Sequence, residues 1–282
     1  MTEALKQAYQ NWRAYLEVSV ERYKQQSILG KTRHYGPLRL QRPFYPEGQD
    51  LAHLYILHPP GGLVAGDELV QQIKVQPNAA GLVTTPAAGK VYYNKASDSQ
   101  IQRVDITVAR GGSLEWLPQE TILFEGCRAE LHTRIKLEAD AAFIGWDIFC
   151  LGRQASGEGF DHGQMLQTVE VSRSGKPLFI ERLHLEPGDD RLGNLLGLNG
   201  GRVFGSMIVT LAEEVELSEW HEQLYEAGFA AEVAMTYRNG LLLVRYLGQS
   251  SSRARTVFER VWGWCRPLVN GRDACRPRIW NT

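Results

Sequence analysis

Two carboxylates in this chain interrupt apolar runs. Asp147 stands within "FIGWDIFCL" and Glu181 within "PLFIERLHL". A charge in a mostly apolar strand must be paired, hydrogen-bonded, protonated or facing water inside the protein. Asp147 is flanked by Trp146 and Ile148 and reads as part of an internal polar site. Glu181, beside Arg182, fits an internal site and a wet outer strand face equally well.

A denser group of reactive side chains lies in "LGRQASGEGFDHG", which carries Arg153, Ser156, Glu158, Asp161 and His162 among glycines. Ser156 and His162 could be a nucleophile and its base, and Glu158 with Asp161 could form a glycosidase-like acid and base. The stretch lacks the G-x-S-x-G elbow, and no helix pattern follows it. A hydrolase using this loop is therefore the weaker reading. His58, His132, His162, His184 and His221 show neither H-x-x-x-H nor HExxH spacing, which argues against a tight structural zinc site. A transient site of oxygen and imidazole donors would leave no spacing signature.

The glycine pair of "HPPGGLVAGD" (residues 58–67) raises the question of phosphate binding. A phosphate loop needs a helix after its glycines, to supply N–H donors and a positive dipole end. Here "DELVQQIKV" follows, with Leu69, Ile73 and Val75 at strand spacing, and no Lys-Ser/Thr pair is present. Pro59 and Pro60 fix φ, while Gly61, Gly62 and Gly66 permit positive φ. The segment reads as a rigid strand-to-strand loop presenting His58 and Asp67.

Composition excludes several classes. A formal net charge of -1 gives no electrostatic reason to expect nucleic acid. No uninterrupted apolar run approaches the roughly 20 residues of a membrane-spanning helix, and the charged N-terminal stretch has no secretory core. The four cysteines, Cys127, Cys150, Cys265 and Cys275, lack CxxC spacing and are too sparse for a disulfide scaffold. The expectation is a reduced, cytoplasmic protein.

The elements that must position these residues are mostly strands. Trp12, Ala14, Leu16, Val18 and Val20 alternate on one face, as do Ala129, Leu131, Thr133, Ile135 and Leu137. Further strands are expected at "LAHLYIL", "GLVTTPA", "IQRVDITVA", "SLEWLPQETILF", "FIGWDIFCLG", "MLQTVEVS" and "PLFIERLHLE". Strands without intervening helices argue for a large antiparallel or coiled β-architecture. After about Gly201 the pattern becomes β-α-β-β-α. Leu217, Trp220 and Leu224 have helical spacing before Gly228, Asn239-Gly240 marks a hairpin, and Ser250 to Ser252 can cap a last helix. Residues 1–282 read as one domain, with 202–282 as a subregion packed on the main sheet. Residues 187–201 are expected to be a long, mobile, glycine-rich loop.

Taken in order, "RPFYPEG", "LYILHPPGGLVAGDEL", "TTPAAGKVYYN", "LEWLPQETILF", "GWDIFCLGRQASGEGF", "ERLHL" and "PRIWNT" resemble the urease accessory protein UreD family, also called UreH. The resemblance implies a mainly β (α+β) fold: a large, strand-rich, β-helix-like two-layer assembly with two helices near the C-terminus. It implies a non-enzymatic chaperone that binds the urease apoprotein with UreF and the GTPase UreG and assists nickel insertion. No tightly bound cofactor is expected, only nickel in transit. An internal water-filled passage is proposed in the family as a nickel route. That gives Asp67, Asp147 and Glu181 a purpose, with His58 and Glu158 as weaker candidates, because oxygen donors attract nickel without trapping it. Gly61, Gly62, Gly66, Trp116, Pro118 and Arg153 belong to the matching structural motifs. The chain departs from the family pattern at Ala65, Gly89 and Tyr93. The alternative within the resemblance is a passive scaffold that conducts no metal.

Overall fold

The computed structural model describes residues 13–281, so Trp12 of the first expected strand lies outside the described residues. In chain order the strands are β1 (Arg13–Tyr23), β2 (Gln26–Tyr35), β3 (Arg39–Leu40), β4 (Ala52–Leu57), β5 (Glu68–Val75) and β6 (Ala80–Thr84). Next come β7 (Gly89–Val91), β8 (Gln100–Val108), β9 (Ser113–Leu117), β10 (Thr121–Leu123), β11 (Arg128–Leu137) and β12 (Ala142–Leu151). The C-terminal part holds β13 (Gln164–Arg173), β14 (Lys176–Leu185), β15 (Val203–Thr210), α1 (Ser218–Glu226), β16 (Val233–Arg238), β17 (Leu241–Gly248) and α2 (Ser251–Asn270).

Between β4 and β13 the chain passes back and forth between two facing sheets. One sheet has the order β14-β13-β11-β8-β5-β1-β2, and the other runs β16-β17-β15-β12-β9-β6-β4-β3, with β7 and β10 as a short spur beside β12. From β4 to β13 the neighbours are parallel, as in a coil that lays each turn beside the last. Antiparallel strands close the ends: β2 and β14 flank the first sheet, and β15, β17 and β16 extend the second.

Strand alternation accounts for the core. Ala14, Leu16, Val18 and Val20 on β1, and Ala129, Leu131, Ile135 and Leu137 on β11, are buried between the sheets with Phe143, Phe149 and Leu151 of β12. The other face of β12 presents Ile144, Trp146 and Ile148 to α2, whose Val257, Phe258, Val261 and Trp262 complete a second core. Because both faces of β12 are covered, it reads as a nearly continuous apolar run. Full burial of each large α2 side chain stabilises the fold by about 1.5–3 kcal/mol.

Helix α2 begins where the serines predicted it, with the Ser250 hydroxyl accepting from the Arg253 N–H. Asn239 and Gly240 turn the β16–β17 hairpin with φ of 52° and 76°, the pair of positive values a type I′ turn requires. The stretch "SLEWLPQETILF" is two strands, not one. Pro118 follows β9 and has no N–H for a ladder, so the chain turns before β10 joins β7 and β12. Residues 187–201 form linked turns around a short 3₁₀ helix, Asp190–Leu192, capped by Asp189. No helix among the described residues is long and apolar enough to cross a membrane.

Candidate functional site

Asp147 points into the gap between the two sheets, on the same face of β12 as Phe143 and Phe149. Its neighbours in the ladder are Ser206 on β15 and, one strand further, Arg245 on β17. Across the gap, the first sheet presents the cross-strand row Gln71, Val104, Thr133, Val169 and Glu181. The adjacent row is Leu69, Gln102, Leu131, Gln167 and Leu183. Polar side chains therefore recur through an otherwise aliphatic interior.

Hydrogen bonds join the facing rows. Thr133 Oγ1 donates to Asp147 Oδ2 at 3.2 Å, and Trp116 Nε1 reaches Asp147 Oδ1 at 3.5 Å. Ser206 Oγ donates to Glu181 Oε2 at 3.3 Å, while Arg245 forms a close ion pair with the other oxygen of Glu181. Burial pushes the Asp147 carboxyl up to about 6, against the opposing pull of the Trp116 and Thr133 donors. The structure thus brings Asp147 and Glu181 to one polar stripe and decides the ambiguity of Glu181: its carboxylate faces inward.

A cavity of about 120 Å³ opens onto this stripe, lined by His58, Gly61, Gln71, Gln102, Trp116, Pro118 and Asp147 among others. Its walls are the loops that leave the C-terminal ends of β4, β6 and β9. The carboxamide oxygen of Gln71 is buried here and has no hydrogen-bond partner. A separate space of about 10 Å³, also bordered by Trp116 and Asp147 and bounded by Thr133, Gln167 and Ser206, has room for about one water molecule. His58 stands at the cavity wall, where burial lowers its affinity for a proton, opposed by the charge of Asp67.

Asp67 does not line either space. It is 6% exposed, and its Oδ2 accepts the Val64 N–H at 2.9 Å, closing the glycine-rich turn. Gly61 and Gly66 take φ of +77° and +76°, whereas Gly62 does not. Gly62 is needed for space instead: a Cβ there would lie 2.5 Å from the Tyr92 ring and 2.7 Å from the Lys90 carbonyl oxygen.

The Arg153–His162 loop is tied to itself. Arg153 pairs with Glu158 and covers the Phe124 ring at 4.5 Å, and Glu158 Oε1 accepts the Glu125 N–H at 2.6 Å. His162 Nδ1 lies 2.7 Å from Glu125 Oε1, so its ring is engaged by a carboxylate. Glu158 is far better explained as a brace of this loop than as part of the polar stripe. Pro118 contributes its carbonyl, which accepts Trp146 Nε1 at 3.0 Å.

One polar cluster was not legible in the sequence. Glu115 on β9 and Arg266 on α2 are fully buried at the helix–sheet interface. Arg266 Nε donates to both Glu115 oxygens, Trp262 Nε1 donates to Glu115 at 2.6 Å, and Arg266 Nη1 and Nη2 reach Glu47 at 2.7 Å. Burial pushes Glu47 up, but hydrogen bonds from His53 and Arg266 prevail and hold it at about 2. The thiols of Cys127, Cys150 and Cys265 are pushed by burial up to about 12, so none offers a thiolate at neutral pH. Among the described residues, no group of three or more His, Cys, Asp or Glu side chains is arranged to hold a metal ion.

Comparison with known proteins agrees with this architecture's sequence motifs along the whole described chain. A model of the UreD urease accessory protein family matches residues 13–281. A urease accessory protein UreD of Saccharophagus degradans is 41% identical over 275 residues, covering 96% of this chain and 93% of the relative. The UreD of Dechloromonas aromatica is 40% identical, covering 96% and 95%, and that of Citrobacter koseri is 38% identical, covering 100% and 95%. The strand-rich coil with its inward carboxylates belongs to a member of the UreD urease accessory protein family.

Proposed function

We propose that this chain is a cytoplasmic, non-catalytic maturation chaperone that binds apo-urease together with UreF and UreG and assists nickel insertion. The polar stripe between the sheets is, on this reading, the part of the molecule that handles the ion. The observation carrying the reading is the facing pair of rows that turns the half-buried Asp147 and Glu181 toward the interior, Asp147 against the neutral donors Thr133 and Trp116 and Glu181 against Ser206 and Arg245. An ionised Asp147 between the sheets costs several kcal/mol unless water or a cation accompanies it, whereas Glu181 already has Arg245. Retaining them suits a route for a divalent cation. Oxygen ligands hold nickel more weakly than imidazole or thiolate, which favours release over storage.

The wide space at His58 and Gln71 is the natural entrance, because it opens at the strand ends, and Glu181 lies on the same cross-strand row as Thr133. Asp67 serves this route indirectly, by fixing the loop that carries His58. Co-expression of the chain with apo-urease and UreF tests the chaperone role. A complex containing all three is the expected result, and a chain that ignores both partners would contradict it.

A further inference from the structure

Four leucines fall in the turn-rich loop between β14 and β15, and the fold treats them in two ways. Leu192 and Leu198 pack against the core between the sheets. Leu195 and Leu196 stand outward, 77% and 95% exposed. The backbone that carries them is bonded to itself. The Asn194 N–H donates to the Asp190 carbonyl at 2.9 Å, the Leu198 N–H to the Arg191 carbonyl at 2.7 Å and the Gly200 N–H to the Leu192 carbonyl at 2.8 Å. Asn194 Oδ1 accepts the Leu196 N–H at 2.9 Å. At Gly197 a Cβ would strike the Arg191 carbonyl, so the turn closes tightly there. A closed turn, anchored by two inward leucines, presents the two outward ones.

Adjacent leucines held out of the core leave apolar area in water that folding does not use, which marks a contact site. Their presentation on a preformed turn cuts the ordering cost of docking. The charge around the pair sets the chemistry of what covers it. Glu186, Asp189 and Asp190 stand in the loop against one cation, Arg191, and Asp189 holds that cation. Glu186 and Asp190 are exposed. An apolar knob with an acidic border fits an apolar pocket bordered by arginine or lysine, and an anionic membrane surface repels it. A second copy of this chain offers a poor seat. The hollow of about 560 Å³ between α1 and β16 is lined by Leu224, Ala230 and Val233, but Glu222 borders it and no lysine or arginine occurs between Arg202 and Arg238. Like charge would meet like.

The place of the loop selects the partner. His184, at the end of β14, lies on the same cross-strand row as Glu68, where β5 leaves the glycine-rich loop. The Gly188 N–H donates to the Asp161 carbonyl at 3.1 Å, tying the leucine loop to the Arg153–His162 loop. The knob therefore stands at the end of the coil where the wide space at His58 and Gln71 opens. On the reading proposed above that end receives the ion, so it faces the accessory partner and not the urease recipient. We propose that Leu195 and Leu196 are an apolar anchor that seats in a pocket of UreF lined by aliphatic side chains and bordered by basic ones. This rests on the chaperone reading and adds the surface through which that complex forms.

The test is biolayer interferometry of the full chain, carried on a solubility fusion, against purified UreF and against apo-urease in parallel. Wild type is compared with Leu195→Ser/Leu196→Ser and Leu195→Met/Leu196→Met. Loss of two buried leucines should weaken UreF binding about a hundredfold, about tenfold for each. The methionine pair keeps the apolar volume and should stay within about threefold of wild type. Affinity for apo-urease should hold in both variants. Asp190→Lys should weaken UreF binding about fivefold, an effect that fades in high salt. Thermal melts show whether the serine variant folds; should it not, Leu196→Ser alone carries the test, with a loss of about tenfold. Unchanged UreF affinity in a folded serine variant overturns the anchor, and so does an equal loss against apo-urease. Self-association of wild type that the serine variant loses, with UreF affinity unchanged, overturns it in favour of a second copy. A wild type that binds neither UreF nor apo-urease is a different failure: it refutes the chaperone reading, and the anchor with it.

Discussion

Arg266 and Glu115 meet at 3.0 Å with both side chains fully buried, although 151 residues separate them in the chain. The pair pins the C-terminal helix to the middle of the second sheet. Glu47, from the loop before β4, completes the cage around the guanidinium. The helix is thereby fixed to two distant turns of the coil, which sets the position of the sheet that carries Asp147.

Arg266→Met should therefore destabilise the protein by about 3–5 kcal/mol, because it strands buried carboxylates without a partner. Urea unfolding followed by circular dichroism measures this. Pairing it with Glu115→Gln should recover part of the loss. A cost near the ~1 kcal/mol of an exposed pair would mean that water reaches the cluster.

The raised carboxyl of Asp147 makes stability depend on pH. Unfolded, Asp147 titrates near its ordinary value of about 4, whereas in the fold burial lifts it to about 6. Its favourable contribution is complete below the unfolded value and is lost as pH rises through 6. Relative to Asp147→Asn, wild type should lose about 2.5 kcal/mol between pH 4 and pH 8, levelling off at the upper end. Melts of both proteins across that range check the sign. A difference that does not vary with pH would place Asp147 in contact with bulk water.

Two substitutions separate space from charge in the glycine-rich loop. Gly62→Val should cost more than ~1 kcal/mol, since its Cβ must enter the Tyr92 ring and the Lys90 carbonyl. Asp67→Asn keeps an oxygen for the Val64 N–H and should cost less than ~0.5 kcal/mol, while Asp67→Ala should cost about 1 kcal/mol. Thermal melts compare the three. Equal losses for Asp67→Asn and Asp67→Ala would show that the charge, not the hydrogen bond, holds the turn.

Much of the scaffold could be read from alternation alone. The inward face of β11, the capped last helix and the Asn239-Gly240 hairpin follow from local rules of spacing and turn chemistry. So does the direction of Asp147, since its neighbours Trp146 and Ile148 take the opposite face of the strand. What local rules cannot supply is partnership across the fold. Glu115 in "LEWL" looks like an ordinary outward residue until α2 lies over it, and Glu181 finds Arg245 64 residues away. The three-residue strand β7 carries too little periodicity to detect, and β10 is not separable from β9 by pattern alone. The parallel coil itself emerges only when successive strands are assigned to alternate sheets.

The interior carboxylates decide between a route for nickel and a passive scaffold. The most direct measurement is nickel per urease active site after co-expression with the Asp147→Ala/Glu181→Ala double variant, alongside the yield of the isolated complex. An interior site is not a contact surface, so the complex should form in normal amount while nickel content falls well below wild type. Normal nickel loading by the double variant, in a complex of normal yield, would contradict the route and leave the scaffold.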